Sequence, residues 1–490
     1  MTVNLGVRWE PDQPAYDKYC RGNWLDIAAY EQGVRSTQYP GAPIGLIFGH
    51  DSQNVNGCAF TQHHWGDTSP RLGLVFDPTG EGKQTIRAGF GLLHDTTELF
   101  YPERWTTNPP YASSITLTNP SIAAPFSNPW ATYTSPTGVA GDPFPGVAIF
   151  PSLGTYVSVP PNLHATYVIQ WNLSYSRQIA KDWLATATYI GNRTNHIYGA
   201  YDINAPQPEP GATSSSTNEQ SRRVLSLINP TAGGSYAQVV QSDDGASASY
   251  EGLLLKLEHR FASHFTWLAN YTWSQCISTY DFGGELAGVD YQNQSNRDAE
   301  KADCNFDRRH IFNSSLVGES PGFGTGALRV ISKDWQVAPI VSLYTGQPYT
   351  VTTGSDVSLT GEGLDRPNVV PNVSDPSPHT TSEYFNTAQF AGGCTTAAYV
   401  SNPYCVPLGT FGNAARDIFH GPGTIQWDMS ASRIFSFTER IRLQYKAEFF
   451  NIMNHANWNG PSAGLTSSTF GQVTTFGSPR LIQMSLKFLF

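Results

Sequence analysis

Charge is scarce in this chain. Only 14% of its 490 residues are Asp, Glu, Lys or Arg, where a soluble globular protein carries about 25%, so much of the surface is suited to something other than water. Long apolar runs are missing as well. Mean hydropathy is −0.31, and no uninterrupted apolar stretch reaches the ~18 residues from which a membrane-crossing helix is read. Any crossing of a membrane must therefore be made by strands. Clusters of Lys and Arg are absent and the net charge is −10. Both argue against nucleic acid as a partner, because phosphate binding needs a basic stripe that displaces counterions. No C-x-x-C pair and no zinc-finger spacing of Cys and His occurs, which leaves no structural metal site to expect. H-E-x-x-H and Walker strings are absent too, and Ser, His and Asp are scattered without a nucleophile elbow, so neither a catalytic constellation nor a cofactor is expected. Met1 runs directly into Thr2-Val3-Asn4-Leu5-Gly6-Val7-Arg8-Trp9, without a charged n-region, apolar h-region or cleavage site, so no export signal is expected within this chain.

What the chain does have is aromatics, at 13%, and a recurring alternation of apolar and polar residues, the period-2 mark of two-faced strands. It is clearest from Ile441 to Phe450. There Ile441, Leu443, Tyr445, Ala447 and Phe449 share one face, and Arg442, Gln444, Lys446 and Glu448 the other. Comparable segments lie at 2–9, 70–77, 85–92, around Trp171 to Tyr175, at 183–190, 250–260, 265–274, 309–317, 335–344, 424–434 and 480–490, about twelve strands in all. Tight turns are expected from Asp77 to Lys83, Ala180 to Asp182, Phe261 to His264 and Ser436 to Glu439. Long Pro/Gly/Ser/Asn-rich segments occupy 10–69, 94–165, 192–248, 276–307, 346–423 and 452–479. Short turns on one side and long loops on the other are the asymmetry of outer-membrane barrels, and strands of about 9–11 residues suffice to cross the hydrocarbon. The expected fold is therefore all-β, an antiparallel transmembrane barrel with long extracellular loops, bounded by outer-membrane lipid.

Specific strings carry a resemblance further. Asn305-Phe306-Asp307-Arg308-Arg309-His310-Ile311-Phe312-Asn313 resembles the F-D-R-R-H-x-F-N string of large Oar-like TonB-dependent receptors, common in acidobacteria. The segment GPGTIQWDMSASRIFSFTERIRLQYKAEFFNIMN (421–454) is similar to that family's penultimate hairpin. Further matches are SPRLGLVFDPTGEGKQTIRAGFG (69–91), QWNLSYSRQIAKDWLATATYIGN (170–192), SLTGEGLDRPN (358–368) and GTFGNAAR (409–416), in order along nearly the whole chain. The resemblance implies a 22-strand barrel preceded by a carboxypeptidase-regulatory-like domain and a plug. Residues 1–490 would then correspond to the C-terminal part of the barrel domain, with the plug, and through it TonB, outside this sequence. It also implies that the terminal Phe488 and Phe490 resemble the signal read by the barrel-assembly machinery.

The six cysteines suit disulfides in an oxidising compartment. The sequence-adjacent pairs are Cys20 with Cys58, Cys276 with Cys304, and Cys394 with Cys405, the last closing the shortest loop; free thiols are the alternative. Arg442, Lys446 and Glu448, like Lys256 and Glu258, are expected to face a lumen. Asp307, Arg308 and Arg309 are expected to anchor a loop by ion pairs where it re-enters a strand, since Arg pairs bidentately with carboxylates. Asp243-Asp244-Gly245 lacks the rest of a calcium-loop spacing and is read as a turn. His63-His64 is read as an incidental pair. Two functions stay open: a receptor or transporter for a large or scarce extracellular ligand, not energised without its plug, and a self-contained adhesin or passive pore. A secreted β-rich enzyme is a distant third, needing a second sheet to cover the apolar faces.

Overall fold

The structure is a computed structural model, and it describes all residues except 98, 113–125, 136–137, 142–146, 210–217, 263, 281–290 and 374–377. Twelve strands form one antiparallel meander. They are β1 (Thr2–Trp9), β2 (Thr68–Phe76), β3 (Gln84–His94), β4 (Tyr167–Ala180), β5 (Trp183–Asp202), β6 (Tyr236–Ala262), β7 (Phe265–Ser278), β8 (His310–Pro321), β9 (Lys333–Tyr344), β10 (Thr424–Ser436), β11 (Arg442–Phe450) and β12 (Leu481–Leu489). Each pairs with its sequence neighbour, and the sheet stays open: β1 pairs along this path only with β2, and β12 only with β11. Connections alternate between short and long, as expected. The turn after β6 contains Ser263, outside the described residues. One short-side connection escaped the sequence reading. Between β8 and β9 the chain makes a helical turn, Ala327–Ser332, whose C-terminal carbonyls of Val330 and Ile331 accept 2.7 and 2.8 Å bonds from Arg433.

Register settles the two faces. Leu443, Tyr445, Ala447 and Phe449 stand opposite Phe488, Leu486, Met484 and Ile482, while Gln444, Lys446 and Glu448 stand opposite Lys487, Ser485 and Gln483. Because side chains alternate across a strand, this pairing keeps all the apolar residues on one side of the hairpin. The same holds at β3–β4–β5, where Leu173 lies between Ala88 and Tyr189. Trp171 lies flat over Gly191, where an added Cβ would fall 2.4 Å from the indole, so only glycine fits beneath the ring. Phe488 and Phe490 are 59% and 97% exposed on the apolar side. Leu443 sits one residue inside β11, beside the 437–441 turn, and therefore at the membrane boundary rather than at its centre.

Burial is inverted relative to a soluble protein. The wall strands expose large apolar residues such as Leu173 (54%) and Leu486 (69%), whereas the well-packed apolar clusters lie in the long loops. An exposed apolar band of this extent marks a lipid or protein interface. The long loops also differ from the coil expected of them. The predicted loop at 192–248 is strand at both ends, because β5 continues to Asp202 and β6 begins at Tyr236, pairing beyond membrane height. Asp243-Asp244-Gly245, expected as a turn, is extended within β6 for the same reason: Gly199 of β5 pairs with Asp243. Short helices occur as well, among them Ile27–Glu31, whose N-cap Asp26 accepts from the Ala29 amide.

Candidate functional site: the long-loop mouth

Three long loops collapse onto the extended ends of β5 and β6. Trp24, Phe60, Tyr101, Trp105 and Leu163 pack with Tyr198 and Val240. Leu25, Tyr30, Leu46, Phe48 and Tyr156 pack with Tyr236 and Val239. Burying such aromatics stabilises by about 1.5–3 kcal/mol each, which is how segments rich in Pro and Gly acquire a fixed shape. Gly22 is required here, since a Cβ would land 1.7 Å from the Trp105 ring. A further cluster, around Val351, Phe385, Phe390 and Val473, organises the loops that follow β9 and β11.

Charged side chains join these bodies. Arg366 forms a fork with Glu300 at 2.5 and 3.1 Å, both side chains nearly fully buried, and its Nε donates to Ala414 O at 2.9 Å. Arg222 donates to Leu359 O, and Arg223 pairs with Asp202 at 3.1 Å and with Glu219. Glu362 accepts from Gln238 at 3.0 Å and shares a hydrogen bond with Asp202. Burial first, and then the neighbouring Asp202, push the Glu362 carboxyl up to about 8. Two carboxyls meet there beside one arginine, so one of them holds a proton near neutral pH.

Among these loops lies a cavity of 380 Å³, lined by Thr97, Tyr101, Tyr198, Ser278, Tyr280 and Phe306 among others. Its size is at the lower end of small-molecule sites, which run to about 300–1,000 Å³. Tyr198 receives or gives a 3.0 Å hydroxyl bond with Thr97, and burial raises its phenol far above the usual range, so it remains a neutral hydrogen-bonding group. The mouth thus offers aromatic faces with a few hydroxyls and one acidic residue, Asp95.

The residues expected from sequence fall as follows. Cys20–Cys58, Cys276–Cys304 and Cys394–Cys405 are paired, with Cα separations of 4.6, 5.4 and 5.8 Å, each tying down one long loop. Arg309 reaches Asp303 at 3.3 Å and Asp307 at 3.8 Å, and Asp307 accepts the Cys276 amide at 2.8 Å. Arg308 departs from the expected ion pair: just ahead of β8, it donates to Thr345 O at 2.9 Å and its guanidinium lies over the Tyr344 ring, both at the end of the neighbouring β9. Lys446 and Glu448 pair with each other at 2.6 Å on the polar face, as Lys256 and Glu258 do at 2.9 Å. Arg442 is on that same face at the turn end. The adjacent histidines part company, His63 stacking on Trp65 while His64 lies against His164. Sequence reasoning missed Asp202, Glu300, Glu362 and Arg366; only the quoted 358–368 string pointed toward two of them.

A family model described as outer membrane beta-barrel domain matches residues 1–483. Among solved structures, the outer membrane transporter YddB from Escherichia coli is similar at 10% identity and a TM-score of 0.48, over 88% of this chain and 41% of that one. A ferric enterobactin receptor (PfeA) from Pseudomonas aeruginosa gives 13% and 0.41, over 86% and 40%. BauA, the ferric preacinetobactin receptor from Acinetobacter baumannii, gives 9% and 0.37, over 86% and 36%. This chain spans about two fifths of the length of the first two, and the likeness concerns the fold alone. The search of curated proteins returns no match. With nearly its whole length matched, an antiparallel meander of membrane-crossing strands and an apolar band around its outside, the chain belongs to the outer membrane beta-barrel domain family and resides in the outer membrane.

Proposed function

We propose that this chain forms the wall and the extracellular mouth of a receptor that takes up a large or scarce ligand, of the TonB-dependent, Oar-like type. The observation that carries the reading is the packed, disulfide-tied loop body with an aromatic cavity at the mouth, an investment that a simple diffusion pore does not need. A plug and, through it, TonB are proposed as the partners that energise uptake, and the barrel-assembly machinery as the partner in insertion. No enzymatic step is assigned to the site. The test is growth of a deletion strain on limiting nutrients, complemented by the gene and by a Tyr198→Ala, Phe306→Ala variant that strips the mouth. Equal growth of all three strains on every nutrient tried, with the variant present in the outer membrane, refutes the reading.

A second reading, a self-contained adhesin or passive pore of about twelve strands, requires β1 and β12, each of which keeps a free edge in the sheet, to pair with each other. Unpaired backbone groups in hydrocarbon cost several kcal/mol each, so direct pairing of the two strands would close a small barrel. Planar-bilayer conductance of the purified chain discriminates, since a steady ohmic pore supports this second reading.

A further inference from the structure

Five histidines gather at one place on the rim. His94 lies against Tyr167, Tyr167 against His196, His196 against His164, and His164 against His64, with ring centroids 5.8, 5.6, 4.8 and 5.0 Å apart; His63 adjoins His64 in sequence. Asp244 lies among them. Its Oδ2 accepts from His164 Nδ1 at 2.8 Å and from the His164 amide at 2.9 Å, and His196 Nδ1 is 3.4 Å away. We propose that His164, His196 and Asp244 form a binding site for one divalent transition-metal ion, with His64 as the fourth ligand.

Three observations carry this. One donor atom from each of His164, His196 and Asp244 lies within 4.8 Å of the others. Tetrahedral Zn–N bonds of about 2.0–2.1 Å set ligands roughly 3.3 Å apart, so small side-chain rotations bring these three onto one ion, with the His64 ring 5.0 Å from that of His164. Two imidazoles and a carboxylate are a donor set for Zn²⁺, Cu²⁺ or Ni²⁺ rather than for Ca²⁺ or Mg²⁺. Next, His196 has φ 55° within the register shift between Thr194 and Ile197. The left-handed region is costly for a residue with a Cβ, and a bulge that re-aims a side chain is a feature of functional positions. Finally, His64 Nε2 contacts Leu163 O at 3.1 Å. With that nitrogen donating to a carbonyl, Nδ1 keeps its lone pair, the arrangement by which ligating histidines are oriented.

The four residues come from four chain segments: the loop after β1, the loop after β3, the end of β5, and β6. A bound ion therefore crosslinks the mouth beside the cavity, where Thr166, a lining residue, donates to His196 O at 2.6 Å. The sequence showed His63-His64 only as an adjacent pair in a Gly/Asn-rich loop, read as incidental, and His164 and His196 lie a hundred residues or more further along the chain.

The experiment titrates the 490-residue chain, purified in detergent with its disulfides intact, with Zn²⁺ by calorimetry and with Cu²⁺ by electron paramagnetic resonance at pH 7.5. The expected result is one ion per chain, a Cu²⁺ spectrum with imidazole nitrogen coupling, and affinity that falls as pH is lowered, because protons compete with the metal for the ligand nitrogens. His164→Gln and His196→Gln should each weaken binding at least tenfold, with His63→Gln unchanged. The backbone amide of residue 164 still donates to Asp244 in the variant, so the loops stay clasped, as an unaltered limited-proteolysis pattern verifies. No saturable binding, or binding indifferent to both variants, overturns the proposal. Loosened loops in the variants without any metal affinity in the parent protein would make the cluster a hydrogen-bonded clasp only, and overturn it equally.

Discussion

Replacing Glu362 with Gln should remove a pH dependence from the mouth. Glu362 joins the loop after β9 to the end of β5, held by Gln238 Nε2 at 3.0 Å. Asp202 beside it is 2% exposed, and its carboxylate accepts the Asn204 and Val239 amides at 2.8 Å and Arg223 at 3.1 Å. Those bonds keep Asp202 the better anion, and the proton goes to Glu362. Its folded-state value stands near 8 against an ordinary 4.5. The sign follows from proton counting. Between pH 4.5 and 8 the folded loop binds a proton that the opened loop does not, so the contribution is fully present below 4.5 and is lost as pH rises through 8. At about 1.4 kcal/mol per pH unit, the loss amounts to about 3–5 kcal/mol. Gln is neutral throughout and keeps an acceptor toward Gln238. The assay is hydrogen exchange of the Val357 and Ser358 amides, which Asp365 holds at 2.5 and 2.7 Å in the same loop, from pH 5 to 9 after correction for intrinsic exchange. Parent and variant should agree at pH 5, and the variant should be the better protected at pH 9. Parallel profiles across the range would refute the assignment of the proton to Glu362. Asp12 and Asp365, both raised first by burial, titrate equally in the two proteins and cancel in the difference.

Two further outcomes follow from the wall and from the loop body. Leu173→Arg, midway along β4 and flanked by Ala88 and Tyr189, should cost about 2–4 kcal/mol in a lipid folding titration, while Leu443→Arg beside its turn costs about 0–1 kcal/mol. Lys446→Gln on the polar face should be nearly neutral, and equal costs for all three would sink the face assignment. Arg366→Ala leaves Glu300, 1% exposed, without its partner and should destabilise docking of the 345–423 loop by about 3–5 kcal/mol, seen as new cleavage sites in limited proteolysis. An unchanged digest would show that the fork does not hold the loop.

A strand that must face lipid on one side and polar groups on the other writes its structure locally, one residue at a time. That is why the alternation Leu443, Tyr445, Ala447, Phe449 placed a strand and its face without any knowledge of its neighbours, and why about twelve strands and the short-turn, long-loop asymmetry were legible in the order of residues. The mouth was not. Its core unites Trp24 with Trp105 and Tyr30 with Tyr236, its ion pairs unite Glu300 with Arg366 and Asp202 with Arg223, and its histidines come from positions 64, 164 and 196. Each partner is tens to hundreds of residues from the other, and no periodicity links them. The same gap explains Asp243-Asp244-Gly245. As a tripeptide it has turn chemistry, yet pairing with the far end of β5 holds it extended and turns Asp244 toward His164. By itself the sequence determined the wall, because lipid imposes the same two-residue rule on every strand. Tertiary structure alone decided what the loops bury and which charges meet, because those energies depend on contacts that only the folded chain brings together.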